Sequence, residues 1–356
     1  MRLTRTAMAL LTAAVLLLTF SLAFTIPSGA ITSEADRRYQ AEAPLSWSDE
    51  DDDSMEEYND EEMDIATALK PYRAMASAAL SDILPVNDIA YLDIDIQTTG
   101  RTPVAANFTP TGYRDDTIIV ELEDVRQDNS TYHVAYVKIA TPSQLRTAIA
   151  GSFGSNRTYK TSVLGKSMNA IVAINGDFYT HTKAGFIIRQ GETYRQKTSK
   201  NMDLLLIDDA GDFHIVLRGH DNQEKAVKSL MSQHTIINGF FFGPALVVDG
   251  VAQEIPTEYQ FNPFGNEPRA AIGQLGPLTY VMVTVDGRTN DSEGVTMPEL
   301  ASFMASIGCE AAYGLDGGNS SALVFNNQLI SVKNVEERAV SDIIYFATAT
   351  ELGQAQ

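Results

Sequence analysis

A chain of 356 residues, 44% of them hydrophobic, has enough apolar material for one large core or two small ones. Its net charge is −20, and the stretch from Glu34 to Asp64 alone holds 14 acidic residues against two arginines, which leaves −10 on residues 65–356. That balance offers no basic field to nucleic acid, and the single cysteine, Cys309, excludes an intramolecular disulfide.

The first 30 residues read as an export segment. Arg2 and Arg5 precede a stretch, 6–33, without a single charge, and the run 7–24 is apolar. Its 18 residues approach the ~20 that span a bilayer. Ser28-Gly29-Ala30 supplies small residues for a signal peptidase, so a cleaved signal peptide and a retained signal-anchor are both open. In either reading everything downstream is extracytoplasmic, secreted or held at the membrane by this N-terminal segment. Residues 31–64 are an acidic linker, with too few core-forming side chains to offset the entropy of ordering. In 65–90 the spacing of Ile65, Leu69, Tyr72, Ala76, Ala79 and Ile83 predicts a helix over 65–84, kinked near its start by Pro71. It would serve as a stalk or pack on the domain that follows.

From residue 91 to 356 the pattern is strand-rich. Strands are predicted at 117–122, 132–139, 170–174, 185–189, 204–207, 213–217, 235–237, 278–285, 311–315, 322–325 and 342–347, with helices at 221–233 and 297–307. This is an α+β chain: a mostly antiparallel or mixed sheet with a few packed helices, in a single catalytic domain. Thr296 and Glu299 have the spacing of a capping box, which gives Glu299 a structural role. The five histidines (133, 181, 214, 220 and 234) show no metal-ligand spacing, and neither a metal nor another cofactor is expected.

Two Asp-Gly turns carry the candidate chemistry. Asp286 ends one apolar strand in Asp286-Gly287-Arg288, and Asp316 ends another in Asp316-Gly317-Gly318-Asn319-Ser320-Ser321. A carboxylate at a strand's end followed by glycine can project into a cleft while the backbone stays open to substrate. A lone Asp-Gly is equally a hairpin turn. Two of them flanking one amphipathic helix suit acid–base or nucleophilic work on a glycosidic carbon as well as they suit turns. Arg269, Arg288 and Arg338 lie near strand ends and suit a phosphate clamp. Asn175 and Asp177, in Asn175-Gly176-Asp177-Phe178-Tyr179, could bind sugar hydroxyls, with Tyr179 as an aromatic wall.

With AINGDFY, PRAAIG, VDGR, GVTMPELASFMASIGCEAAYGLDGGNSS and RAVSDIIYF in this order, the chain resembles the phosphodiester glycosidase family from about residue 170 to 347, and more faintly back to 91. The resemblance implies hydrolysis of the bond between a sugar's anomeric carbon and a phosphodiester oxygen. It also implies a site of Asn175, Asp177, Arg269, Asp286, Arg288, Asp316, Gly317, Gly318, Ser320 and Arg338. Asp286 and Asp316 are the expected catalytic pair, and the rest bind substrate. Asn319 stands where the family often has a third glycine, and Asp177 where a glycine is common; both add polar groups near the cleft. The expected partner is a phosphate-linked glycan or sugar-1-phosphodiester of an envelope or exopolysaccharide type. Two other classes stay open: a non-catalytic glycan-binding envelope protein, and a phosphodiesterase cutting P–O.

Overall fold

The computed structural model describes residues 100–349 apart from 128, 200, 220–222 and 333–334, all within one unit spanning 62–356. The export segment, the acidic linker and the 65–84 helix lie outside the described residues. No described helix is long and apolar enough to cross a membrane.

The fold is mainly β. A nine-stranded sheet forms its middle layer, in the order Phe108–Thr109, Gly112–Arg114, Ile118–Gln127, Ser130–Ile139, Thr279–Val285, Arg269–Gly276, Ala311–Leu315, Ala245–Val248, Val251–Ala252. Every ladder among the described residues is antiparallel, so the mixed option is not used. The helical share is smaller than an α+β label suggests: α1 (Thr161–Ser167), α2 (Gln223–Gln233) and α3 (Met297–Ser306) have 7, 11 and 10 residues.

Side-chain alternation sets the layers. Val281, Val283 and Val285 point to one face of the nine-stranded sheet, where they meet Leu300, Phe303 and Met304 of α3. Tyr280 and Met282 point to the other, toward two five-stranded sheets. One runs Phe213–Val216, Leu204–Asp208, Ile236–Phe240, Gly185–Arg189, Glu192–Lys197. The other runs Gln328–Leu329, Leu323–Phe325, Val172–Asn175, Asp342–Phe346, Leu145–Ile149. Val227 of α2 covers the outer face of the first, and Leu164 of α1 that of the second.

The Arg269–Gly276 strand, absent from the sequence expectation, is the hub of the middle sheet. It is paired on both edges and buried along its first six residues. Its Ala and Gly residues are small because both faces are covered: a Cβ at Gly273 would lie 2.6 Å from Cys309 Sγ.

α3 opens with the expected capping box. Thr296 Oγ1 accepts the Glu299 N–H at 3.3 Å, and Glu299 Oε2 accepts the Thr296 N–H at 2.7 Å. Thr296→Ala should therefore lower stability by about 1 kcal/mol, read as a shift of the urea midpoint with unchanged slope.

Candidate functional site

The Arg269–Gly276 strand lies between Thr279–Val285 and Ala311–Leu315 and is antiparallel to both, so those two end on the same edge of the sheet. The residues that follow are Asp286 and Asp316, two strand spacings or roughly 10 Å apart. Pro268 sits between the two turns. Its carbonyl accepts the Gly318 N–H at 2.7 Å. A Cβ at Gly287 would lie 2.7 Å from the Pro268 nitrogen, and one at Gly317 would lie 3.0 Å from its oxygen. The glycines are demanded by close packing on backbone.

Asp316 is half-buried, at the base of the Gly318–Ser320 turn. Two cations bracket that turn. Arg288 Nη1 donates to Asn319 Oδ1 at 2.8 Å, and Arg338 Nη1 donates to Ser320 Oγ at 3.4 Å. Burial raises the Asp316 carboxyl to about 6; the Ser320 hydroxyl and Arg338 oppose that rise, and the charge of Asp177 adds to it. The result is a carboxyl half-protonated near pH 6, next to a turn flanked by Arg338 and by Arg288, the latter also ion-paired to Glu267 at 2.6 Å.

Beneath it lies a buried group that was not foreseen. Arg189, at the end of its strand, donates through Nε to Asp342 Oδ2 at 2.7 Å, and its Nη2 is 3.0 Å from Asp177 Oδ1. Its Nη1 donates to the carbonyls of Ile188 and Gly239. Asp177 Oδ2 accepts the Phe241 N–H at 3.0 Å. Burial raises Asp342 to about 7, Arg189 opposes this, and Asp177 and Asp316 add to it. Arg189 takes Oδ2, while buried Oδ1 has no hydrogen-bond partner. Gly176 packs directly on this carboxylate, where any Cβ would overlap it.

Other expected site residues hold the site rather than face it. Asp286 is the main departure: Oδ2 meets His133 Nε2 at 2.9 Å, and Oδ1 accepts the Val332 N–H at 2.6 Å. With both oxygens engaged, it ties down the segment leading to Arg338 and is not paired with Asp316. The Asp286 and Asp124 carboxylates raise the His133 pKa against the opposing effect of burial. Arg269 is buried and donates to the carbonyls of Val295, Asn262 and Gly265 at 2.7–2.9 Å; burial pushes it down to about 10. Its guanidinium shapes loop 256–266 from inside. Asn175 donates to the Asp316 carbonyl at 2.7 Å and accepts the Ala322 N–H at 3.0 Å, so its amide serves backbone, not a sugar.

Tyr179 is buried and stacks on Phe153, so the aromatic wall is made by other residues. Phe261, 42% exposed, stacks on Phe242 at 4.7 Å and meets Phe178 edge-on, and the Arg338 guanidinium lies 5.7 Å from the Phe178 ring. Phe261 has φ 67°, a costly conformation for a bulky residue and one that recurs at ligand sites. The one sign of Arg189 and Asp342 in the sequence is a lone charge at the end of an otherwise apolar strand, in GFIIRQG and SDIIYF.

Two outcomes are expected. Arg189→Met leaves two buried carboxylates uncompensated and should cost about 3–5 kcal/mol, whereas Arg288→Met at the exposed mouth should cost under about 1 kcal/mol; denaturant midpoints distinguish them. Asp316 and Asp342 bind protons more tightly folded than unfolded. Their contribution is fully present below about pH 4 and is lost as pH rises through about 6 and 7. The midpoint of Asp342→Asn should fall less over that window than wild type.

The comparisons with known proteins bear on the fold and the family. The protein YomE from the SPbeta prophage of Bacillus subtilis strain 168, described as uncharacterized, is 29% identical over 199 residues, 54% of this chain and 30% of that protein's length. The zebrafish N-acetylglucosamine-1-phosphodiester α-N-acetylglucosaminidase catalytic domain, auto-inhibited by its pro-peptide, shares the fold. It superposes with a TM-score of 0.52 at 18% identity, over 75% of this chain and 98% of that one. A hypothetical protein from Synechocystis gives 0.46 at 17% identity, over 67% and 64%. The phosphodiester glycosidase model matches residues 168–347, a span holding Asp177, Arg189, Asp316, Arg338 and Asp342, and on that match the chain belongs to the phosphodiester glycosidase family, a family of glycosidase-type hydrolases.

Proposed function

We propose that this chain hydrolyses a sugar-1-phosphodiester outside the cytoplasm, in a phosphate-linked glycan of the cell envelope or an exopolysaccharide, with Asp316 as the acid. The observation that carries the reading is the Gly318–Ser320 turn, bracketed by Arg288 and Arg338 and based on a carboxyl raised to about 6. Guanidinium groups on either side of one glycine-containing turn suit a phosphodiester. Asp316 at the base of that turn is in reach of a phosphodiester held between the two arginines.

In the proposed reaction water attacks the anomeric carbon and the C–O bond breaks. The bonding pair leaves on the phosphate oxygen, and Asp316 supplies that oxygen's proton. Water gives its own proton back to the site, so the products are the free sugar and a phosphomonoester. The two arginines offset the charge that grows on the leaving phosphate. The Phe178–Phe261 wall would take the apolar face of a sugar ring. The zebrafish enzyme of the same fold is named for a sugar-1-phosphodiester, which supports the substrate class. Extracytoplasmic action rests on the apolar segment behind Arg2 and Arg5.

Asp316→Asn should lower turnover ~100-fold or more on a panel of UDP-sugars and sugar-1-phosphodiesters, followed by release of free sugar. An acid must be protonated to act, so wild-type kcat/KM should fall as pH rises through about 6. In ¹⁸O water the label should enter the sugar. Label in the phosphate would instead make this a phosphodiesterase, and ligand retention without product would make it a glycan-binding protein.

A further inference from the structure

We infer that Asp208, His214 and His234 form a binding site for one divalent transition-metal ion of the zinc or nickel type, remote from the Asp316 site. Asp208 and His214 lie on the two arms of one hairpin, and His234 comes from the end of the following helix. Asp208 ends the Leu204–Asp208 strand, His214 lies in the neighbouring Phe213–Val216 strand, and His234 directly follows α2. Asp208 Oδ2 is 2.8 Å from His214 Nε2 and 2.9 Å from His234 Nδ1, and the two rings lie 4.4 Å apart. The donor atoms fall within 4.8 Å of one another.

The carboxylate is built to present one oxygen. Asp208 is buried, and its Oδ1 accepts the N–H groups of Ala210 and Asp212 at 3.0 and 2.9 Å, so Oδ2 is aimed at both imidazoles. This supporting shell is the kind that orients metal ligands. The histidine side chains are 19% and 36% exposed, so the open side of the cluster faces water. Two imidazoles, one carboxylate and a water complete a four-coordinate sphere of mixed N and O donors. Such a set favours zinc or nickel over calcium and magnesium, which prefer oxygen alone.

At metal–ligand bonds of about 2.0–2.1 Å, tetrahedral donors stand about 3.3 Å apart. The two short contacts must therefore each open by about half an ångström, through small shifts of the partly exposed His214 and His234 rings. Each neutral imidazole frees the required lone pair by carrying its proton on the other ring nitrogen. The site lies at the end of the Leu204–Asp208 strand opposite the Phe240–Phe241 segment that holds Asp177. A bound ion would staple two strands to the end of α2 without entering the reaction.

The test uses the full chain, stripped with chelator and titrated with Zn²⁺ by calorimetry and with Co²⁺ by absorbance. One equivalent of Zn²⁺ and visible Co²⁺ bands of a four-coordinate nitrogen–oxygen site are expected. The His214→Gln/His234→Gln variant should bind roughly 10-fold or more weakly, with turnover on the sugar-1-phosphodiester panel unchanged. The acidic stretch 34–64 can also hold cations, but as carboxylate-bound, six-coordinate ions indifferent to the two histidines. Imidazole NMR signals of the wild-type chain give a readout free of any folding defect: Zn²⁺ should move two of the five histidines. Zn²⁺ affinity unchanged in the double variant, or no selective movement of two imidazoles, would overturn the site.

Discussion

One buried guanidinium organises this molecule. Arg189 belongs to one five-stranded sheet and Asp342 to the other, while Asp177 follows a strand of the second sheet and accepts a backbone N–H from Phe241 of the first. The ion group therefore joins the two sheets exactly where their strand ends meet the edge of the nine-stranded sheet. A buried charge is tolerated only when paired and hydrogen-bonded. Here one cation faces two carboxylates, with a third, Asp316, near enough to raise Asp342 further. Burial is what chiefly raises the carboxyls of Asp316 and Asp342, and the charge of Asp177 adds to both, so the group that joins the sheets also bears on the protonation of Asp316.

The sequence disclosed the periodic parts of this architecture and hid the ones whose logic is three-dimensional. Val281, Val283 and Val285 alternate with residues of the opposite face, and that period marked their strand. Half of the neighbouring Arg269–Gly276 strand is Ala or Gly because α3 and the lower sheets press on both faces, and small residues carry little strand signal. The motif order identified the family. Within the motifs, residue type proved a poor guide to role: Asp286 and Asp316 share the same local Asp-Gly signature, yet His133 and the Val332 N–H take up one carboxylate while the other stays half-buried beside two arginines. Arg269 looked like a phosphate ligand and spends its donors on three carbonyls. Nothing in a linear string says whether a guanidinium points at solvent or at backbone.

The histidines repeat this lesson. His214 and His234 are separated by a helix in the chain, and Asp208 reaches both only because a tight turn at Ala210–Asp212 brings one strand back beside the other. A histidine and a carboxylate on one hairpin carry no metal signal by themselves; the third ligand comes from the end of a helix 20 residues on, beyond the reach of spacing rules.

The wedge of Pro268 between Gly287 and Gly317 separates what can drift from what cannot. Both glycines abut the same backbone, so a Cβ at Gly287 would clash and one at Gly317 would be tight, and the carboxylates before them stay in fixed relation to the sheet edge. The Phe261 loop is held less tightly: Arg269 binds its Asn262 and Gly265 carbonyls, but Phe261 itself is exposed and in a conformation that glycine or asparagine would relieve. Diversification aimed at a new glycan should therefore be concentrated in loop 256–266 and the segment leading to Arg338, with the two Asp-Gly turns left as an invariant frame.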